Sequence, residues 1–141
     1  MATVAVRSFG TLLKIGDGGG GEVFTTIADI TDISMGVSLG TEDVTPHDGS
    51  GWVERIATIL DGGEVSFSLN FNKAATQGFS TGAYADMAAR TRRNFQIVLP
   101  TTVSSTGSFS GYVTAWNPSM AADGVLTADM TIQITAAVTW A

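Results

Sequence analysis

His47 is the single histidine of the chain, and Glu42, Asp43 and Asp48 lie close to it in sequence. An imidazole among carboxylates is raw material for general acid–base chemistry or a metal site, but both need several such groups converging in a pocket. The spacing supplies no second histidine and no nucleophile motif. A polar loop histidine is therefore expected, with a hydrolase centred on His47 as a rival. Gly18 to Gly21 could cradle a phosphate, yet no strand feeding a helix surrounds them, and no Gly-Lys-Ser or Gly-Lys-Thr follows. Trp52, Trp116 and Trp140 could form an aromatic platform for sugars, although scattered aromatics in β domains more often pack. Arg90, Arg92 and Arg93 hold three of the seven basic residues and form a candidate basic patch, against the alternative of a solvated helix terminus. The chain has no cysteine, which excludes disulfides and thiolate metal sites. Neither a catalytic residue nor a cofactor is expected.

The elements that must carry these residues are mostly strands. Glu64 to Phe71 alternates without a slip, placing Val65, Phe67, Leu69 and Phe71 on one face and Glu64, Ser66, Ser68 and Asn70 on the other. The pattern returns where Ala128, Met130, Ile132, Ile134 and Ala136 alternate with Thr127, Asp129, Thr131, Gln133 and Thr135. Neither polar face contains a basic residue. Charged residues make up 14% of the chain, against roughly 25% in ordinary soluble domains. Two explanations stay open: a surface chosen for β propensity, or one that neighbouring subunits cover.

Further strands are expected at Phe9 to Ile15, Trp52 to Leu60, Asn94 to Leu99 and Phe109 to Trp116, with Leu126 to Val138 as one last strand. Val23 to Ile33 is expected to run from a strand into a polar loop. Ser34 to Gly51 is expected as a long connection or a protruding hairpin, and Asn117-Pro118-Ser119 and Asp123-Gly124 as turns. One helix is expected mid-chain, with Tyr84, Met87, Ala88 and Thr91 on its apolar face and Ser80 or Thr81 as N-cap. The fold class is mainly β, an antiparallel β-sandwich or open barrel with one α-helix packed on it. The 141 residues are expected to form a single domain. A net charge of −6 and pI near 4.4 argue against gripping nucleic acid through phosphate neutralisation, which would need a locally basic face. No secretory or membrane-spanning segment is visible, so a soluble intracellular product is expected.

As an ordered string, Phe24-Thr-Thr-Ile-Ala-Asp-Ile-Thr-Asp-Ile-Ser34, Glu42-Asp-Val-Thr45, Asp48-Gly-Ser50, Glu54-Arg-Ile56 and Leu60-Asp-Gly-Gly-Glu-Val-Ser-Phe67 resembles the major tail tube protein of long-tailed bacteriophages with non-contractile tails. Gly111-Tyr-Val-Thr114 and Asp123-Gly-Val-Leu-Thr-Ala-Asp-Met-Thr-Ile132 continue the likeness. It spans most of the chain from Phe24 to Ala136. The glycine run before Phe24 departs from the pattern, and the extra immunoglobulin-like domain of some members is not seen.

The resemblance implies a structural virion protein, assembled in the host bacterial cytoplasm, that forms stacked homohexameric rings in the virion tail. Double-stranded DNA would pass through the lumen without specific binding, with no membrane involved. The tape measure, tail terminator and tail tip proteins would be its partners. Four strands from each of six subunits, at about 4.8 Å spacing and roughly 40° tilt, close a barrel of roughly 45–50 Å backbone diameter. Lumen candidates are then Glu64, Ser66, Ser68 and Asn70, together with the polar face that begins at Thr127. Val37, Leu39, Glu42, Asp43, Val44, Thr45, His47 and Asp48 are implied to reach a neighbouring subunit, and Arg90, Arg92 and Arg93 are candidates for the same interface. A carbohydrate-binding β-sandwich using the tryptophans is the alternative.

Overall fold

A computed structural model describes residues 9–72 and 82–141. The elements in chain order are β1 (Leu12–Gly16), β2 (Phe24–Thr26), β3 (Ile30–Met35), β4 (Ser38–Asp43), β5 (Arg55–Asp61), β6 (Glu64–Asn70), α1 (Ala83–Ala89), β7 (Arg93–Val98), β8 (Thr106–Ser119), β9 (Thr127–Ile134) and β10 (Thr139–Trp140). Among the described residues the fold is mainly β and antiparallel with one helix, as the sequence led us to expect. Seven strands run in the order β2-β1-β7-β8-β9-β6-β3, and β10 adds to β8 at Gly107 and Ser108. β4 and β5 form a separate two-stranded sheet.

Register follows from the alternation. Val65, Phe67 and Leu69 of β6 face Ile132, Met130 and Ala128 of β9, and all six are buried. Leu13 and Ile15 of β1, Phe95 and Ile97 of β7, and Phe109 and Val113 of β8 complete this apolar face. One short helix cannot cover so wide a sheet. The sheet curls instead, bringing β1 close to β3 although they lie far apart in strand order. α1 packs against β8, where Trp116 meets Tyr84 edge-on at 4.9 Å and Phe71 at 5.5 Å.

Several boundaries differ from expectation, each for a local reason. The first strand begins at Leu12, two residues after Gly10 at φ 99. Val23 to Ile33 divides into β2 and β3 because Asp29 adopts a left-handed conformation, φ 59, which short polar side chains tolerate. Ser34 to Gly51 takes the hairpin form, with β4 inside it, and its partner strand starts at Arg55 rather than Trp52. Asn117, Pro118 and Ser119 continue β8 instead of turning. Pro118 lies in the half of β8 that β7 no longer pairs, where a missing N–H removes no bond to β7. The last strand divides at Ile134, leaving Ala136 exposed.

The helix begins after Gly82, while Ser80 and Thr81 lie outside the described residues. Ala88 is exposed rather than on the packed face. Arg90 ends the helix in a left-handed conformation, φ 58, donating its N–H toward the carbonyls of Asp86 and Met87.

Candidate functional site

Two surfaces stand out, and chemistry of the enzymatic kind marks neither. The first is the outer face of β3, β6, β9 and β8. Pairing aligns Ser34, Ser66, Thr131 and Ala115 in one row across the four strands, and Asp32, Ser68, Asp129 and Asn117 in the next. Glu64 and Gln133 continue to Tyr112, and Asn70 and Thr127 to Ser119. No lysine or arginine occurs in these rows, whereas Asp32, Glu64 and Asp129 do. The groups bond to one another: Ser68 Oγ donates to Asp129 Oδ1 at 2.6 Å, and Thr31 Oγ1 to the Ser68 carbonyl at 3.2 Å. The result is a polar, acidic sheet surface whose opposite side is the core.

Glu64, Ser66, Ser68 and Asn70 thus share one outer face with the Thr127 strand, as alternation requires. Sequence reasoning missed the contributions of β3 and β8. Asp32 and Ser34 do alternate with Ile33 and Met35, but a strand divided by Asp29 masked the period. On β8 a bulge between Val113 and Ala115 shifts the phase, which a strict period of two does not detect.

The second surface is the β4–β5 hairpin. Every residue of both strands is exposed, although Leu39, Ile56, Ile59 and Leu60 are among them. Leu39 faces Leu60 across the ladder and Glu42 faces Ile56, so apolar side chains lie on both sides of the ribbon. Val37 precedes it, and Val44, Trp52 and Val53 extend the apolar surface into its tip; all are exposed. The tip is nonetheless ordered. Asp43 Oδ1 accepts from Thr45 Oγ1 at 2.6 Å and from Thr45 N at 2.9 Å, while Glu54 N donates to Thr45 Oγ1 at 2.8 Å. The side-chain bond from Thr45, followed by its backbone N–H, holds the Asp43 carboxyl below its usual range. His47 and Asp48 lie exposed in this tip beside Pro46, whose carbonyl accepts from Gly49 N at 3.3 Å. Among the described residues, no group of three acids or histidines is placed to hold a metal.

The three arginines part company. Arg90 and Arg92 are exposed, but Arg93 turns inward: its Nη2 lies 3.1 Å from Asp86 Oδ1, and its Nη1 donates to the Asp17 carbonyl at 2.8 Å. Nor does the glycine run offer a phosphate cradle. Gly18 N donates to Glu22 Oε2 at 2.9 Å, Gly19 N to Asp17 Oδ1 at 2.9 Å and Val23 N to the same oxygen at 3.3 Å. The bond from Gly19, then that from Val23, lowers the Asp17 pKa. The tryptophans form no common platform: Trp52 sits in the hairpin tip, Trp116 against Tyr84 and Phe71, and Trp140 over Gly107, where a Cβ would come within 2.9 Å of its ring. Among the described residues no helix is long and apolar enough to cross a membrane.

A family model described as phage tail tube protein matches residues 5–140. Direct comparison of the sequence with curated proteins gives no match. Among solved structures, the chain is similar to one in a virion of a native gene transfer agent particle, with TM-score 0.80, 18% identity, and coverage of 97% of this chain and 99% of that one. A chain from the tail of an empty gene transfer agent particle, refined with C6 symmetry, gives TM-score 0.74 at 19% identity, covering 97% and 99%. A chain from the six-fold symmetrised baseplate of an anti-feeding prophage gives 0.71 at 14%, covering 100% and 97%.

Proposed function

The chain belongs to the phage tail tube protein family, and from that premise we propose that it assembles into stacked hexameric rings that form the conduit for DNA in a long, non-contractile tail. Its role is structural and it catalyses no reaction. Assembly occurs in the host cytoplasm, and the finished tube meets a tape measure protein inside, a terminator at one end and a tip at the other.

The observation that carries this reading is the four-stranded acidic face without a basic residue. β3, β6, β9 and β8 alternate in direction. Because four is even, β3 of one copy laid beside β8 of the next in a rotational ring preserves the antiparallel alternation, and six copies close one barrel. β7 leaves β8 at Gly111, and β3 ends the strand order, so both joining edges lie at the margins of this face. Glu64, Ser66, Ser68 and Asn70 then line the lumen with Asp32, Asp129, Thr131 and Gln133. Phosphates meet few cations there, and DNA slides. The hairpin from Val37 through Leu39, Glu42, Asp43, Val44, Thr45, His47 and Asp48 to Leu60 lies on neighbouring copies, and Arg90 and Arg92 sit at the same outer interface. Negative-stain electron microscopy of the purified protein tests the proposal. Six-fold rings or tubes are expected, and a strictly monomeric protein at high concentration overturns it.

A further inference from the structure

The four-stranded face ends in apolar groups at both extremes. At one end the β8–β9 turn raises Met120, Val125 and Leu126, exposed by 72%, 68% and 41%. At the other, where β9 stops at Ile134, a cleft of about 370 Å³ is lined by Val37, Leu60, Asp61, Gly62 and the run from Thr135 to Val138. The eight residues of β9 separate the two by roughly 25 Å at about 3.3 Å per residue. Building on the tube reading, we infer that the Met120/Val125/Leu126 tip of each copy seats in the Val37/Leu60/Val138 cleft of a copy in the next ring.

The patches are unlike, and they terminate the same strands at opposite ends, so a head-to-tail stack brings one onto the other. Complementary patches at different places on one molecule give contacts that repeat without closing, which is the symmetry of a growing tube. The tip is already shaped for the purpose: Gly124 N donates to the Ala121 carbonyl at 3.2 Å, and the Leu126 carbonyl accepts from Phe71 N at 3.0 Å. Little conformational freedom is then lost on contact. The floor of the cleft is fixed as well, while its Val37 and Leu60 walls belong to the hairpin. Ile134 N donates to the Gly63 carbonyl at 3.0 Å and Asp61 Oδ1 accepts from Gly63 N at 2.8 Å, so its floor does not depend on a partner. Neither patch carries a lysine or arginine to pair with the other's carboxylate, Asp123 on the tip or Asp61 in the cleft, so the attraction comes from apolar burial.

The absence of native cysteine permits a direct test. A protein carrying both Val125→Cys and Ala137→Cys, assembled and treated with a short thiol cross-linker, should run as a ladder beyond dimer on a denaturing gel. Neither single variant should pass dimer. Val125→Glu should still form rings but raise the concentration needed for tubes by about tenfold or more. A double-cysteine tube without a ladder, or normal stacking of Val125→Glu, overturns this contact and leaves the tube reading standing. If the unaltered protein makes neither rings nor tubes, both readings fall together.

Discussion

β5 and β6 are consecutive seven-residue strands separated by Gly62 and Gly63, yet they behave as opposites. In β6 every second side chain is buried, and β9 and β3 flank it on either side. In β5 nothing is buried, although Ile56, Ile59 and Leu60 are as apolar as anything in β6. A two-stranded ribbon is marginal by itself in water, and exposed apolar side chains in this number are what surfaces that meet a partner carry. Apolar residues in a strand therefore specify burial without specifying in which copy of the chain it occurs. β6 finds its interior within the protomer; on the proposed reading, the hairpin finds its own between copies.

Substitutions in the two strands should separate folding from assembly. Phe67→Ala in β6 removes a fully packed aromatic and should cost about 3–5 kcal/mol, enough to unfold a marginal domain in thermal melts. Leu60→Ser in β5 should change protomer stability by no more than about 0.5 kcal/mol while abolishing tubes. Equal loss of melting temperature in both variants would show that β5 supports the folded protomer as much as β6 does.

Replacing Val37 to Asp48 with a short Gly-Ser linker removes the hairpin altogether. The curled sheet should stay folded by circular dichroism, because no residue of β4 or β5 is buried in its core and the shorter connection alters closure entropy only modestly, and tubes should not form. Normal tubes from this variant would remove the hairpin from the interface.

A smaller effect is expected on the acidic face. Ser66→Lys lies opposite Thr131 and Ser34, with no carboxylate directly across, so tubes should persist while DNA binds in the channel and weakens with added salt. Unimpeded genome delivery by particles built from this variant would take Ser66 out of the lining.

The smallest concerns pH. The folded-state pKa of Asp43 is lowered through Thr45, so its contribution to the hairpin tip is present above the unfolded value near 3.8 and is lost as pH falls through the folded value. Asp43→Asn should flatten this acid-range loosening of the tip, read by Trp52 fluorescence. An unchanged profile would show that the Asp43–Thr45 bonds do not order it.

How much of this was legible in the sequence varied with the kind of information required. Val65, Phe67, Leu69, Met130 and Ile132 were found by alternation alone, because each strand keeps its phase. The joining of β3 and β8 to the polar face was not, since it depends on Asp29 turning the chain, on the bulge beside Thr114 and on pairings between distant strands. Arg93 illustrates a different limit: three arginines near one helix end suggest a patch, but only the fold reveals that one of them is bonded to Asp86 and the Asp17 carbonyl. The hairpin residues were singled out through the family resemblance. Their exposed apolar groups on both sides of the ribbon supply the physical reason.

Amide hydrogen exchange measured on free protomers and on assembled tubes separates burial within the protomer from burial between copies. Amides in Glu64–Asn70 should be well protected in both states, whereas those in Ser38–Asp43 and Arg55–Asp61 should exchange quickly in the free protein and slow by about tenfold or more on assembly. A hairpin equally protected in the free protomer, or one still unprotected in tubes, would contradict the account.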